Sequence, residues 1–175
     1  MILASDGFEK SELFTPLERL EEEGAEVHIV SDKEGKIKSW DEKDWGTSIA
    51  VNKTLQECNF TDYDALVLPG GVINPDTLRT NELVLSCVRS FKNQGKPVAA
   101  ICHAPWLLVS AGIIKDCQVT SYVSIKDDVI NAGGQWIDEA VVCDNGIITS
   151  RNPQDLPHFC EKIIEEIQAN TTVLA

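Results

Sequence analysis

Lys96-Pro-Val-Ala-Ala-Ile-Cys102-His103-Ala-Pro105 joins a short apolar run to a cysteine that is followed directly by a histidine. Val98 to Ile101, bounded by Pro97 and a Cys-His-Ala-Pro turn, reads as a strand buried on both faces, as in a parallel α/β sheet. Ligands of such sheets sit at the carboxyl ends of the strands, where Cys102 falls. A side chain on a sharp strand-to-helix turn is held out of the core. The amide N–H groups and helix N-terminus around it favour an anion, which lowers a thiol's pKa and leaves donors for an oxyanion. Cysteine is also among the most buried residue types, so Cys-His by itself fits an inert core thiol as well.

Working outward, strand-like and helix-like segments alternate. Met1 to Ala4 reads as a short first strand, near a sheet edge or lacking a few leading residues. A loop over Ser5 to Glu9 follows. Leu13, Phe14, Leu17 and Leu20 then recur at helical spacing from Ser11, with Gly24 as the stop. Glu26 to Val30 is a second strand, and Lys36 to Val51 suits a β-hairpin excursion. Ala65 to Leu68 is a continuous apolar strand closed by Pro69-Gly-Gly71, with a helix predicted over Leu78 to Phe91. Beyond the Cys102 turn come a helix over Trp106 to Ala111, a strand over Cys117 to Ser121 and a helix over Ser124 to Ala132. Asp144-Asn145-Gly146 makes a hairpin between Ala140–Cys143 and Gly146–Ser150, and a last helix runs from about Pro153 to Ala169. This alternation predicts one α/β domain over 1–175: a flavodoxin-like three-layer sandwich with a mainly parallel sheet, helices on both faces and a nucleophile-elbow cysteine.

Composition narrows the functions. A net charge of −13 over 175 residues argues against nucleic acid as a ligand, because phosphate backbones are bound through clustered Lys and Arg. No apolar run approaches the ~18 residues of a membrane span, and Met-Ile-Leu-Ala-Ser-Asp lacks the basic region of a signal peptide, so a cytoplasmic protein without membrane contact is expected. The six cysteines form no CxxC pair and no tight His/Cys cluster, so neither a disulfide framework nor a zinc site is indicated. Asn52-Lys-Thr, Asn59-Phe-Thr and Asn170-Thr-Thr match the glycosylation acceptor pattern by chance in such a setting. The Pro69-Gly-Gly71 turn offers backbone N–H groups, but neither GxGxxG nor GxxxxGK[ST] is present, which gives nucleotide binding little support.

Read together, Asp6-Gly-Phe-Glu-Lys-Ser-Glu-Leu13, Leu66-Val-Leu-Pro-Gly-Gly71, Ala100-Ile-Cys-His-Ala-Pro105, Thr120-Ser-Tyr122, Lys126-Asp-Asp-Val-Ile-Asn-Ala-Gly133 and Ser150-Arg151 with Asp155-Leu156 resemble the PfpI/ThiJ superfamily. That group has class I glutamine amidotransferase-like folds. The nearest subgroup is the PfpI-like general stress proteins, known as intracellular proteases, protein deglycases or glyoxalases. The resemblance implies Cys102 as nucleophile, His103 as its neighbouring base and Glu9 as the acidic side chain approaching the thiol. It also implies a carboxylate after the Pro-Gly-Gly turn, given by an adjacent subunit of a homo-oligomer, dimer or hexamer. Here that position is Asp76, shorter than the family's acid. Gly70 and Gly71 would form the oxyanion and substrate loop together with the His103 backbone. Tyr122, and Trp40 or Trp45, would line the pocket mouth or pack in the core. Glu12 rivals Glu9, yet its place in the first helical turn suits a capping role with Ser11.

Three chemistries follow from the resemblance, none needing a metal or an organic cofactor. In the first, the Cys102 thiolate attacks a reactive aldehyde or its protein adduct, and Glu9 moves protons between adjacent carbons. In the second, Cys102, His103 and Asp76 cleave peptides across a subunit interface. In the third, Cys102 is the oxidisable thiol of a redox-sensing chaperone. The clean match at Glu9 against the shortened acid at Asp76 favours the first.

Overall fold

The computed structural model describes residues 1–173. In chain order the elements are β1 (Ile2–Leu3), β2 (Phe8–Glu9), α1 (Lys10–Glu22), β3 (Ile29–Ser31), β4 (Lys36–Asp41), β5 (Asp44–Ala50), β6 (Lys53–Thr54), β7 (Leu66–Leu68), α2 (Ile73–Leu78) and α3 (Glu82–Asn93). They continue as β8 (Val98–Ile101), α4 (Pro105–Ala111), β9 (Gln118–Val119), α5 (Lys126–Asn131), β10 (Gln135–Trp136), β11 (Val142–Asp144), β12 (Ile147–Ser150) and α6 (Leu156–Val173).

A seven-stranded sheet in the order β11-β12-β8-β7-β1-β3-β6 forms the middle layer. Every neighbouring pair in it is parallel except β11 with β12. The physical cause lies in the strand composition. Along β7 and β8 alternate side chains enter opposite faces: Leu66, Leu68, Val98 and Ala100 pack with α3 and α4 residues such as Val84, Val88, Leu107 and Leu108. Val67, Ala99 and Ile101 pack with Leu13, Leu20, Phe159 and Ile163 of α1 and α6. A strand apolar at every position is what a sheet covered on both faces requires. This is the predicted α/β sandwich with helices on both faces.

Several boundaries differ from the sequence expectation. The helix predicted over Leu78 to Phe91 is α3, which starts only at Glu82 because the Asn81 side chain accepts a hydrogen bond from the Leu83 N–H at 3.0 Å and caps it, while Ile73–Leu78 form a separate helix, α2, that was not predicted. β1, read as near an edge, lies between β7 and β3, and its short length is offset by partners on both sides. The Cys117–Ser121 strand shrinks to β9, which pairs with β10 in a separate two-stranded sheet. The expected hairpin over 36–51 is present as β4 and β5, extended by β2 alongside β4. Trp40 and Trp45 face each other across that hairpin, ring centroids 5.5 Å apart and edge to face. They pack on one another there, with Trp45 exposed on the hairpin. No described helix is long and apolar enough to cross a membrane.

Candidate active site

Cys102 follows the last residue of β8 and adopts φ of 65°, a left-handed conformation that a non-glycine residue takes only under strong constraint. Two backbone hydrogen bonds supply that constraint. The Cys102 N–H donates to Ser150 O at 3.0 Å, and the Cys102 carbonyl accepts from the Tyr122 N–H at 2.8 Å. The chain then turns at once into α4, with Pro105 in its first turn. The brace behind Ser150 explains another motif: the Arg151 guanidinium holds Asp155 through Nε at 2.9 Å and Nη2 at 3.0 Å, and Asp138 through Nη1 at 3.0 Å.

Facing the elbow is the Pro69-Gly70-Gly71 turn at the end of β7. The buried Asn74 side chain ties it down, accepting from the Ser5 N–H at 2.7 Å and donating to Pro69 O at 2.9 Å and Gly70 O at 3.2 Å. Asn74 was not singled out in the sequence, where an Asn before a proline reads only as turn chemistry. Asn74→Ala removes the side-chain partners of the Ser5 N–H and the Pro69 carbonyl and leaves the Gly70 carbonyl only the 3.4 Å bond from the Glu9 N–H, so unfolding in urea should show a loss of about 1–3 kcal/mol with an unchanged m-value.

The carboxyl that meets the thiol is that of Glu12. Expected at Glu9, this contact falls three residues later for a geometric reason. Glu9 sits at the N-cap of α1 with no capping bond, half-buried, and receives only a 3.5 Å contact from Ser11 Oγ. Glu12 lies on the buried face of α1 with Leu13, Pro16 and Leu20, so its side chain points inward to the elbow. Its Oε2 accepts from the Gly70 N–H at 2.8 Å, while Oε1 is fully buried with no hydrogen-bond partner among the described residues. The expected capping role with Ser11 is absent. A sequence signal existed: Glu12, Pro16 and Leu20 recur every four residues, which sets a carboxylate at the head of an apolar stripe.

Burial raises the Glu12 pKa to about 8, with the Glu9 charge adding to the rise and the Gly70 N–H opposing it. At neutral pH the group is mainly a carboxylic acid. The Cys102 thiol is also pushed well above its ordinary range, first by burial and then by the Glu12 charge, while the backbone N–H groups of His103 and Gly71 pull it back. Both N–H groups lie close enough to the sulfur to favour its anion. The resting thiol is thus more protonated than a helix N-terminus alone would make it.

His103 is buried, and burial lowers its pKa. Its Nδ1 lies 3.2 Å from Cys102 Sγ and its Nε2 lies 3.1 Å from Ser124 Oγ. Tyr122 stacks on one side at a centroid distance of 4.7 Å, and Trp106 meets the ring edge-on at 5.3 Å. Tyr122 therefore borders the His103 ring. Asp76 is exposed in the first turn of α2, and no hydrogen bond within the described chain joins it to His103. The structure therefore brings together Cys102, His103, Gly70, Gly71 and Tyr122, adds Glu12 and Ser124, and leaves Glu9 and Asp76 outside. Among the described residues no group of three or more His, Cys, Asp or Glu is placed to hold a metal ion.

Comparison with known proteins places the chain in a family. The model of the DJ-1/PfpI family matches residues 1–166. The chain belongs to the DJ-1/PfpI family. It is 46% identical over 165 residues to Deglycase PfpI of Pyrococcus furiosus, covering 94% of this chain and 96% of the relative. It is 37% identical over 153 residues to General stress protein 18 of Bacillus subtilis, covering 87% of each. Among solved structures, Drosophila melanogaster DJ-1beta superposes with a TM-score of 0.84 at 28% identity, over 99% of this chain and 95% of that one. Membership in the DJ-1/PfpI family and the mainly parallel α/β fold are thus established together.

Proposed function

We propose that this protein is a cysteine-dependent enzyme of the stress response that acts on reactive α-dicarbonyl aldehydes such as methylglyoxal, or on the adducts they form with protein side chains. The observation that carries this reading is the buried carboxyl of Glu12 beside the Cys102 thiol. It supplies a proton donor and acceptor at the carbon next to sulfur, where an aldehyde reaction needs one and peptide cleavage does not. Deglycase names among close relatives support the same reading.

In this reading Cys102 Sγ attacks the aldehyde carbon, its proton passes to His103 Nδ1, and Glu12 gives its proton to the aldehyde oxygen, forming a hemithioacetal. The Glu12 carboxylate then removes the hydrogen on that carbon while the imidazolium protonates the neighbouring ketone oxygen, giving an enediol. Glu12 returns its proton to the second carbon as His103 takes the hydroxyl proton of the first, leaving a 2-hydroxyacyl thioester. Water adds to the thioester carbonyl, Glu12 takes a water proton, and the departing sulfur recovers its proton from His103. Net, methylglyoxal and water become lactic acid, with no redox partner and all three side chains restored. With a protein adduct, attack by sulfur expels the amine or guanidine and meets the same hemithioacetal. The N–H groups of Gly71 and His103 stabilise the oxyanion of thioester hydrolysis.

A peptidase would need a carboxylate on His103 to stabilise the imidazolium, as in Cys-His-acid sites generally. Here Nε2 faces a serine hydroxyl, which carries no charge. Asp76 would serve only if a second copy of the chain brought it across an interface of a homo-oligomer. The deciding measurement is lactate release from methylglyoxal by the purified protein, with Cys102→Ala as the blank and a fluorogenic peptide in parallel. Lactate formation that is absent from the blank is expected. Cysteine-dependent peptide cleavage without lactate would overturn the aldehyde reading.

A further inference from the structure

We infer that Ser124 is the residue that orients His103, and that it does so within a single chain by accepting the Nε2 proton so that Nδ1 is left bare toward Cys102. The inference rests on the reading of Cys102 as the reacting thiol, and it concerns the hydrogen-bond chain behind that thiol rather than the substrate.

The argument starts from what each atom can donate. Glu12 has its Oε2 engaged as an acceptor of the Gly70 N–H, so a proton on the carboxyl sits on Oε1, the oxygen with no other partner. That carboxyl adjoins the Cys102 sulfur: a Cβ placed on Gly70 would lie 2.5 Å from Glu12 Oε2 and 2.9 Å from Cys102 Cβ, so both crowd the same glycine. The protonated thiol has one hydrogen to give, and His103 Nδ1 is 3.2 Å away. Nδ1 can accept it only when the imidazole proton is on Nε2. An Nε2–H in a buried ring needs an acceptor, and Ser124 Oγ stands at 3.1 Å. Each donor then meets an acceptor in one direction, Cys102 to His103 to Ser124.

The ring cannot easily choose another arrangement. Tyr122 stacks on it with planes 24° apart, and Trp106 closes the edge at 65°. Rotation that would present Nε2 to the sulfur displaces both contacts. Ser124 is itself fixed by position, since it lies in the middle of a 3-10 turn over Val123–Ile125 that leads into α5. That turn follows Tyr122, whose N–H is bonded to the Cys102 carbonyl, so one short segment carries both the stacking ring and the acceptor. Ser124 touches neither thiol nor substrate. It is a positioning residue, and a neutral one, which holds the tautomer without favouring an imidazolium.

The test reads the tautomer directly. In 15N spectra of histidine-labelled protein, His103 should show Nε2 protonated and Nδ1 unprotonated near neutral pH. Ser124→Ala should bring the two nitrogens toward averaged values and shift the pH profile of Cys102 alkylation by iodoacetamide. Turnover should fall about 5–20-fold in kcat with little change in KM, the range for losing one hydrogen bond in the transition state. Ser124→Thr, which keeps the hydroxyl, should restore all three readouts. Asp76→Asn should leave the tautomer as in the wild type. An unchanged tautomer in Ser124→Ala, or a tautomer that moves with Asp76→Asn instead, would overturn the inference. Because the spectra and the alkylation need no substrate, they decide it even if lactate release is absent from the wild type.

Discussion

Glu12→Gln should lower the rate of aldehyde conversion by about 10²–10⁴-fold, the usual contribution of a positioned general acid–base, and should make the protein more stable at pH 8. The two effects share one cause. Glutamine keeps an oxygen for the Gly70 N–H and stands in shape for the protonated acid, but it cannot exchange a proton with substrate. For stability, the sign follows from the raised pKa. Unfolded, the carboxyl ionises near 4.5, while folded it holds its proton to about 8. Between these values the native state binds more protons than the unfolded state, so wild-type stability falls as pH rises through this window. Glutamine does not ionise and escapes the loss. The variant should melt roughly 2–6 °C above the wild type at pH 8, if about 1–2 kcal/mol is recovered in a chain of this size. The gap should close toward pH 4. Glu9→Gln, by contrast, should change neither quantity by more than a factor of two or about 1 °C, because Glu9 lies at the N-cap, outside the elbow. Thermal melts at pH 4.5 and 8 beside lactate assays settle the matter. A Glu9 variant as inactive as the Glu12 variant would return the role to Glu9.

Gly70→Ala should be the most damaging single methyl in the site. A Cβ there would fall 2.5 Å from Glu12 Oε2, 2.6 Å from the Ile101 carbonyl oxygen and 2.9 Å from Cys102 Cβ. Only the first contact can be relieved by a side-chain movement, and that movement breaks the Gly70 N–H bond and draws the carboxyl from the thiol. The other two belong to the β8 end and the strained elbow, which Asn74 and Ser150 hold in place. Overpacking of this kind costs about 1–3 kcal/mol or more, so melting should drop by roughly 4–10 °C and activity should be lost even in protein that remains folded. Activity within threefold of the wild type would show that the loop can shift and that its fit to the elbow is not required. A parallel change at Gly24, whose surroundings are open, should leave activity alone and tests backbone conformation without the crowding.

Much of this molecule was readable from local pattern. The apolar runs at Leu66–Leu68 and Val98–Ile101 announced strands buried on both faces, and the Cys-His-Ala-Pro turn announced the elbow, because both depend on residues adjacent in the chain. Asn81 shows the limit even of local reading: the apolar spacing of Leu83, Val84, Val88 and Phe91 located the helix, but its start at Glu82 was set by the Asn81 side-chain cap.

The choice between Glu9 and Glu12 was beyond local reading altogether. Both carboxylates precede the same apolar stripe, and motif matching favoured the one in the loop. Which of them meets the thiol depends on α1 starting at Lys10, on α1 lying across the sheet face, and on Gly70 having no side chain to keep the carboxyl away. Ser124 is similar, 21 residues from His103 and brought beside it by the Tyr122 backbone bond to the elbow. Sequence by itself determined the strands and the elbow that carries Cys102, since period and turn chemistry act over a few residues. Only the tertiary structure decided which acid faces the thiol and which hydroxyl faces the imidazole, because desolvation and hydrogen bonding act through space between elements the chain order does not juxtapose.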